Sequence, residues 1–146
     1  MEEFNFTIPY TVRIADVNYG GHVANSAVLN FFQDARIAYL KNLGDYSELD
    51  IGNQCGVIMP EAHLKYLAEM FHDDELVIGV RIGKLGRSSF TMIYQIERDG
   101  ETTAEGETVL VCFDYDKRKP RRLHVEFRER VEVFEGSRNM VAQSSP

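Results

Sequence analysis

The stretch Asn25-Ser26-Ala27-Val28-Leu29-Asn30-Phe31-Phe32-Gln33-Asp34-Ala35-Arg36-Ile37-Ala38-Tyr39-Leu40-Lys41-Asn42-Leu43-Gly44 reads as one long helix, and it decides the fold. Val28, Phe32, Ala35, Tyr39 and Leu43 recur at i, i+3/i+4, and Leu29, Phe31, Ala38 and Leu40 widen the stripe. An apolar face that wide belongs to a helix wrapped by other structure, not one lying on a surface. Asn25 is placed to cap its start, and Gly44 to supply the left-handed residue at its end. At ~1.5 Å per residue the helix is roughly 28 Å long.

Working outward, the flanking segments alternate with a period of two. Phe6 to Ile14 reads as a first strand, with Pro9 confining it to an edge or irregular position. After the helix, Val57 to Tyr66 is a strand candidate interrupted by Pro60. Glu75 to Lys84 carries Leu76, Ile78, Val80 and Ile82 on one face, and Ser88 to Glu97 carries Phe90, Met92, Tyr94 and Ile96. Arg98-Asp99-Gly100-Glu101 is a hairpin turn, from which Thr102 to Asp114 returns as a long strand. Leu123, Phe127, Val131 and Phe134 space like a short helix, while Val125, Phe127, Val131 and Val133 fit a strand. Antiparallel strands curve through their twist, so the economical α+β assembly is a curved antiparallel sheet wrapped round one long central helix. A single domain over residues 1–135 is expected, followed by a loose tail over 136–146.

The chain has 146 residues, with 16 Lys+Arg against 23 Asp+Glu and a formal net charge of −7. That length suits one domain with a real core. The acidic balance argues against general nucleic-acid binding. The N-terminus lacks a basic-then-apolar secretory layout, and no apolar run approaches the ~18 residues of a membrane span. Two cysteines, Cys55 and Cys112, are too few for a disulfide framework or a zinc site, which points to reduced thiols in the cytoplasm.

Polar groups concentrate in Asp16-Val17-Asn18-Tyr19-Gly20-Gly21-His22-Val23-Ala24-Asn25. Glycines just before a helix let a ligand approach N–H groups aimed by the helix dipole, an arrangement suited to a developing oxyanion. The same residues also fit a plain glycine-rich turn whose Asp and Asn only cap the backbone.

The run Arg13 to Asn25, continued by Phe31-Phe32-Gln33-Asp34-Ala35-Arg36, resembles the start of the hotdog-fold thioesterases, nearest the 4-hydroxybenzoyl-CoA thioesterase-like branch. That branch reads D-x-D-x-x-G-H/I-V, then a helix with an aromatic–acid–Ala–Arg run. The likeness continues through Leu64-Lys65-Tyr66, Asp74-Glu75-Leu76, Leu85-Gly86-Arg87-Ser88-Ser89-Phe90 and Lys119-Pro120-Arg121. The resemblance implies a hotdog fold, a homodimer or dimer of dimers, and hydrolysis of an acyl-CoA or acyl-carrier-protein thioester with no metal or cofactor. It also implies a site at the subunit interface, where a backbone N–H near the helix start polarises the carbonyl. Gly20, Gly21, Val23 and Asn25 surround that N–H.

The second acid of the motif falls on Asn18. An amide orients water but cannot take its proton, and general-base help is worth ~10²–10⁴-fold. Asp34, His22 and Asp16 are the available replacements. Asp34 matches an acid position on the helix, His22 matches the histidine of the related plant acyl-carrier-protein thioesterases, and Asp16 shares a strand-like face with Asn18. The expected arrangement is a water held by Asn18 and activated by Asp34 or His22, in that order. Asp34 could instead pair with Arg36 or Arg13, and His22 could be only a hydrogen-bond donor where the helix begins.

Arg87, Ser88 and Ser89 match a region that lies near the CoA phosphates in the family, although a polar hairpin corner has the same composition. Lys117, Arg118, Lys119, Arg121 and Arg122 form a basic strip that is either a solvated loop or a phosphate contact. His63, His72 and His124 read as structural or exposed. Two competing functions remain: an enoyl-thioester hydratase, whose D-x-N-P-x-H motif is echoed without its proline, and a non-catalytic thioester-binding protein.

Overall fold

A computed structural model of the chain describes residues 1–136 and the backbone of 141–142. The elements are β1 (Thr7–Thr11), a 3₁₀ turn (Ile14–Asp16), α1 (Asn25–Gly44), β2 (Gly56–Tyr66), β3 (Glu75–Leu85), β4 (Ser89–Arg98), β5 (Glu101–Asp114), β6 (Lys119–Pro120), α2 (Val125–Glu135) and β7 (Val141–Ala142). The main sheet runs β1-β3-β4-β5-β2, antiparallel throughout; β6 adds to the end of β5, and β7 lies parallel to β3. The expected loose tail falls largely on residues 137–140 and 143–146, which lie outside the described residues.

The helix is held where its periodicity predicts. Val28, Phe31, Phe32, Ala35, Tyr39 and Leu40 are almost wholly buried against the concave face of the sheet. That face is made by Leu76, Ile78, Val80 and Ile82 of β3, Phe90, Met92, Tyr94 and Ile96 of β4, and Ala104, Leu110 and Cys112 of β5, all buried. Phe32 stacks on Tyr94 at 4.5 Å between ring centroids. It comes so close to β5 that a Cβ at Gly106 would lie 2.4 Å from its ring. A missing side chain on the strand is therefore what lets the helix settle into the sheet. Leu29, expected in the apolar stripe, is instead exposed.

Among the described residues one cation is buried. Arg36 is 5% exposed; its Nη1 donates to Tyr94 Oη at 3.0 Å and its Nε to Glu48 Oε2 at 3.2 Å. Tyr94 Oη in turn meets Thr108 Oγ1 at 2.7 Å. Burial works against the Arg36 charge, but Tyr94 and Glu48 together outweigh it and hold the guanidinium pKa above its ordinary value.

Several local expectations are corrected. Asn25 does not cap α1: it is the first helical residue, Ala24 occupies the cap position, and no side chain caps it. Gly44 stays helical, and Asp45 takes the left-handed conformation at φ 60°, with its N–H turned to Leu40 and Lys41 carbonyls. β1 stops at Thr11, because Arg13 to Asp16 close a 3₁₀ turn, so Asp16 shares no strand face with Asn18. Pro60 does not break β2: the register with β5 shifts between Ile58 and Glu61, which lets the strand continue past the missing donor. The C-terminal element is a helix. Phe127 and Val131 are fully buried while Val125 and Val133 are 65% and 85% exposed, the pattern of a 3.6 period and not of alternation. Cys55 and Cys112, far apart in sequence, are neighbouring buried thiols.

Candidate active site

The segment leading into α1 is built by short-range hydrogen bonding. Asp16 is 8% exposed and organises the turn. Its Oδ2 accepts from Tyr10 Oη at 2.6 Å and from the Arg13 N–H at 2.9 Å, and Arg13 Nη2 lies 3.8 Å from its other oxygen. Burial, followed by this bond to Asp16, raises the Tyr10 phenol pKa. Asp16 is thus committed to structure.

Beyond it, Val17 and Val23 bridge a tight loop. The Asn18 N–H donates to His22 O at 3.0 Å and the Gly21 N–H to Asn18 O at 3.1 Å. Asn18 Oδ1 accepts from the Gly20 N–H at 2.9 Å. Gly21 sits at φ +82°, the left-handed region where glycine carries no Cβ penalty. A Cβ placed on Gly20 would lie 3.1 Å from His22 Nε2 and 3.4 Å from Asn18 Oδ1, so the two side chains flank one bare glycine. His22 Nδ1 faces Val23 O at 3.4 Å, and its Nε2 lies 3.7 Å from Glu69 Oε2.

The loop is stapled to the β2–β3 connection by the Val23 N–H, which donates to Met70 O at 2.7 Å, and by a bridge between His22 and Phe71. The N–H groups of Gly20, Gly21 and Val23 are therefore engaged within the fold. Those of Asn25 and Ser26, the first two of α1, meet no acceptor among the described residues. They are orphan donors at the positive end of a 20-residue helix. Tyr66 Oη donates to Asn25 O at 3.2 Å and ties the end of β2 to this first turn. A cleft of about 210 Å³ opens here, lined by His22, Asn25, Val28, Tyr66, Leu67 and Glu69 among others. Two larger grooves, of about 450 Å³ between α1 and α2 and about 680 Å³ over the sheet's outer face, hold none of the candidate residues.

His22 and Asn25 thus line one cleft, Asn18 stands beside His22 across Gly20, and Asp34 is apart from them. Asp34 is exposed on α1, about 14 Å along the axis from Asn25 at ~1.5 Å per residue, with the charge of Arg13 in range. Arg36, its other expected partner, is turned inward to Glu48. Arg87, Ser88 and Ser89 lie at the opposite end of the sheet. Ser89 is buried and its carbonyl accepts from the Gly86 N–H at 2.7 Å, while Arg87 is exposed. Arg98, at the other end of β4, donates to Glu69 O at 2.6 Å, so roughly 30 Å of strand separates Ser89 from the cleft. The basic strip shares the Arg87 end: the Leu123 N–H donates to Arg87 O at 2.9 Å, and Arg121 lies 3.4 Å from Asp114. The Lys117 N–H, followed by that of Asp116, holds the Asp114 carboxyl below the usual range.

A family model described as the thioesterase-like superfamily matches residues 12–131. The chain belongs to the thioesterase-like superfamily. Its fold is the hotdog fold. A thioesterase from Thermus thermophilus, solved with coenzyme A and Zn, superposes with a TM-score of 0.79 at 29% identity, over 93% of this chain and 98% of that one. A thioesterase superfamily structure from Jannaschia sp. CCS1 gives a TM-score of 0.82 at 26% identity, over 96% and 87%. An uncharacterised Bacillus subtilis protein, YsmA, is 30% identical over 109 residues, 74% of this chain and 72% of the relative.

Within this superfamily member, no group of three or more His, Cys, Asp or Glu among the described residues is placed to hold a metal ion. No helix among them is long and apolar enough to cross a membrane. Sequence reasoning missed Glu69, Ser26 and Tyr66. Glu69 and Tyr66 carry no local signal, because they reach the cleft only through the pairing of the β2–β3 connection with the loop before α1, while Ser26 offers only its backbone N–H, which any residue would supply.

Proposed function

We propose that the chain is an acyl-thioester hydrolase, releasing a carboxylic acid and a thiol such as CoA. The observation that carries this reading is His22, which flanks Gly20 with Asn18 and lines one cleft with Asn25 at the orphan N–H end of α1, in a chain of this superfamily. In the proposed reaction the thioester carbonyl oxygen sits against the Asn25 and Ser26 N–H groups, which stabilise the charge it gains. The free amide edge of Asn18 holds the attacking water. With its proton on Nδ1 toward Val23 O, His22 keeps Nε2 as the acceptor that takes the water proton. The collapsing intermediate then expels the thiolate, which recovers that proton. His22 replaces Asp34 as the first choice of base, since Asp34 reaches no reacting atom within one protomer. The chemistry uses side chains and backbone alone.

A homodimer or dimer of dimers is part of the proposal. β2 is a long edge strand exposing Ile58 and Met59, the kind of edge that pairs with a second copy. Antiparallel pairing of two β2 strands would bring the Arg87–Arg122 end of one protomer toward the cleft of the other. Arg87, Ser88 and the basic strip would then meet the phosphates of CoA or of an acyl-carrier-protein arm. The relative solved with coenzyme A supports this substrate class. Free, buried Cys55 and Cys112 support a cytoplasmic setting.

A second reading, non-catalytic thioester binding, is favoured by one observation: Asn18 Oδ1 is already engaged by the Gly20 N–H. A thioester panel read by thiol release separates the two. The wild type should turn over, His22→Ala should lose ~10²–10⁴-fold, and Asp34→Asn should lose little. Added salt should raise KM for a CoA ester. Binding without turnover would refute hydrolysis, and loss of the enoyl band of a crotonyl thioester without thiol release would point to hydration instead.

A further inference from the structure

We infer that Glu69 is a positioning residue for His22, supplying the carboxylate that Asn18 lacks; this rests on the reading of His22 as the base. Glu69 Oε2 stands 3.7 Å from His22 Nε2, on the side of the ring that faces the cleft. That spacing is too long for a hydrogen bond to a neutral ring, yet short enough to form an ion pair once the ring gains the water proton. The backbone beneath Glu69 is fixed on every side. Its carbonyl accepts from Arg98 Nη1 at 2.6 Å, and Arg98 is held by Asp74 Oδ2 at 3.0 Å and Glu101 Oε1 at 2.9 Å. The Ala68 N–H donates to Thr103 O at 3.1 Å, and Met70 O accepts from Val23, the residue next to His22.

The remaining charged groups at this end are spoken for. Arg98, Asp74 and Glu101 satisfy one another, and His72 lies 3.5 Å from Asp73. Glu69 is the carboxylate left facing His22. With its side chain 64% exposed, the pair is screened by solvent, so its effect is modest and salt-dependent. No bond forms or breaks at Glu69. Its charge stabilises the imidazolium during the step in which His22 holds the proton.

The test compares wild type, Glu69→Gln and Glu69→Asp by thiol release at low and at molar salt. In Glu69→Gln the loss should fall on the catalytic step at low salt. kcat should fall roughly three- to tenfold with KM unchanged, and Glu69→Asp should recover part of it. Molar salt should bring the wild type to the Glu69→Gln values. Normal wild-type turnover with unmoved kcat in Glu69→Gln would overturn the role of Glu69 alone. A wild type that turns over no thioester would overturn the hydrolase reading and, with it, the role of Glu69.

Discussion

Replacing Tyr94 by Phe isolates one buried hydroxyl. The ring stays stacked on Phe32, so apolar contact is kept, while Arg36 Nη1 loses its acceptor at 3.0 Å and Thr108 Oγ1 its partner at 2.7 Å. A neutral hydrogen bond is worth about 1 kcal/mol and one to a charged group about 1.5–3 kcal/mol, so the expected loss is about 2.5–4 kcal/mol. For 146 residues at ~2.1 cal/mol/K each, the unfolding entropy is about 0.3 kcal/mol/K, so Tm should fall by about 8–13 °C. Denaturant unfolding of Tyr94→Phe, Arg36→Met and the double variant closes a cycle whose coupling should be about 1.5–3 kcal/mol, since with Arg36 gone the Tyr94 hydroxyl has no buried cation left to satisfy. A loss below about 1 kcal/mol with no coupling would refute the reasoning. Glu48 alone would then be neutralising Arg36.

Three further outcomes follow from the same packing. Gly20→Ala, at a backbone angle any residue adopts, should leave Tm within about 2 °C but lower kcat/KM several-fold in a thiol-release assay, because the new Cβ presses on His22 and Asn18. Burial, and then the adjacent Cys55, push the Cys112 thiol up to about 12, so Cys112 should resist iodoacetamide in the folded protein near pH 8 and react after denaturation. Burial raises the Glu135 carboxyl although Tyr39 and the Ile82 N–H bond it. Its contribution is full below the unfolded carboxylate pKa, about 4.3, and is lost as pH rises through the folded value. Denaturant titrations should therefore show Glu135→Gln gaining on the wild type as pH rises above the unfolded carboxylate pKa.

Much of the fold was legible because period is local. The 3.6 repeat of α1 and the alternation in β3, β4 and β5 depend on which face a side chain takes, and the core residues they name, Leu29 and Ala38 apart, are those buried. Capping was not legible in the same way. Asn25 and Gly44 have the right chemistry at the right ends, but a shift of one residue by the 3₁₀ turn at Ile14–Asp16 and by Asp45 assigned those roles elsewhere. At the site, the loop of Asn18, Gly20 and His22 could be read because its hydrogen bonds are short-range.

By itself, the sequence determined the wrapped helix, the antiparallel sheet, the superfamily and the absence of an acid at Asn18, all carried by pattern within a few residues. Only the tertiary structure decided that Asp16 is committed to the turn, that Asp34 stands apart from the cleft, and that Glu69 arrives beside His22. The physical reason is strand pairing. The register of β2 with β5 and the staple between Val23 and Met70 bring distant residues within ångströms, and no spacing along the chain encodes that approach.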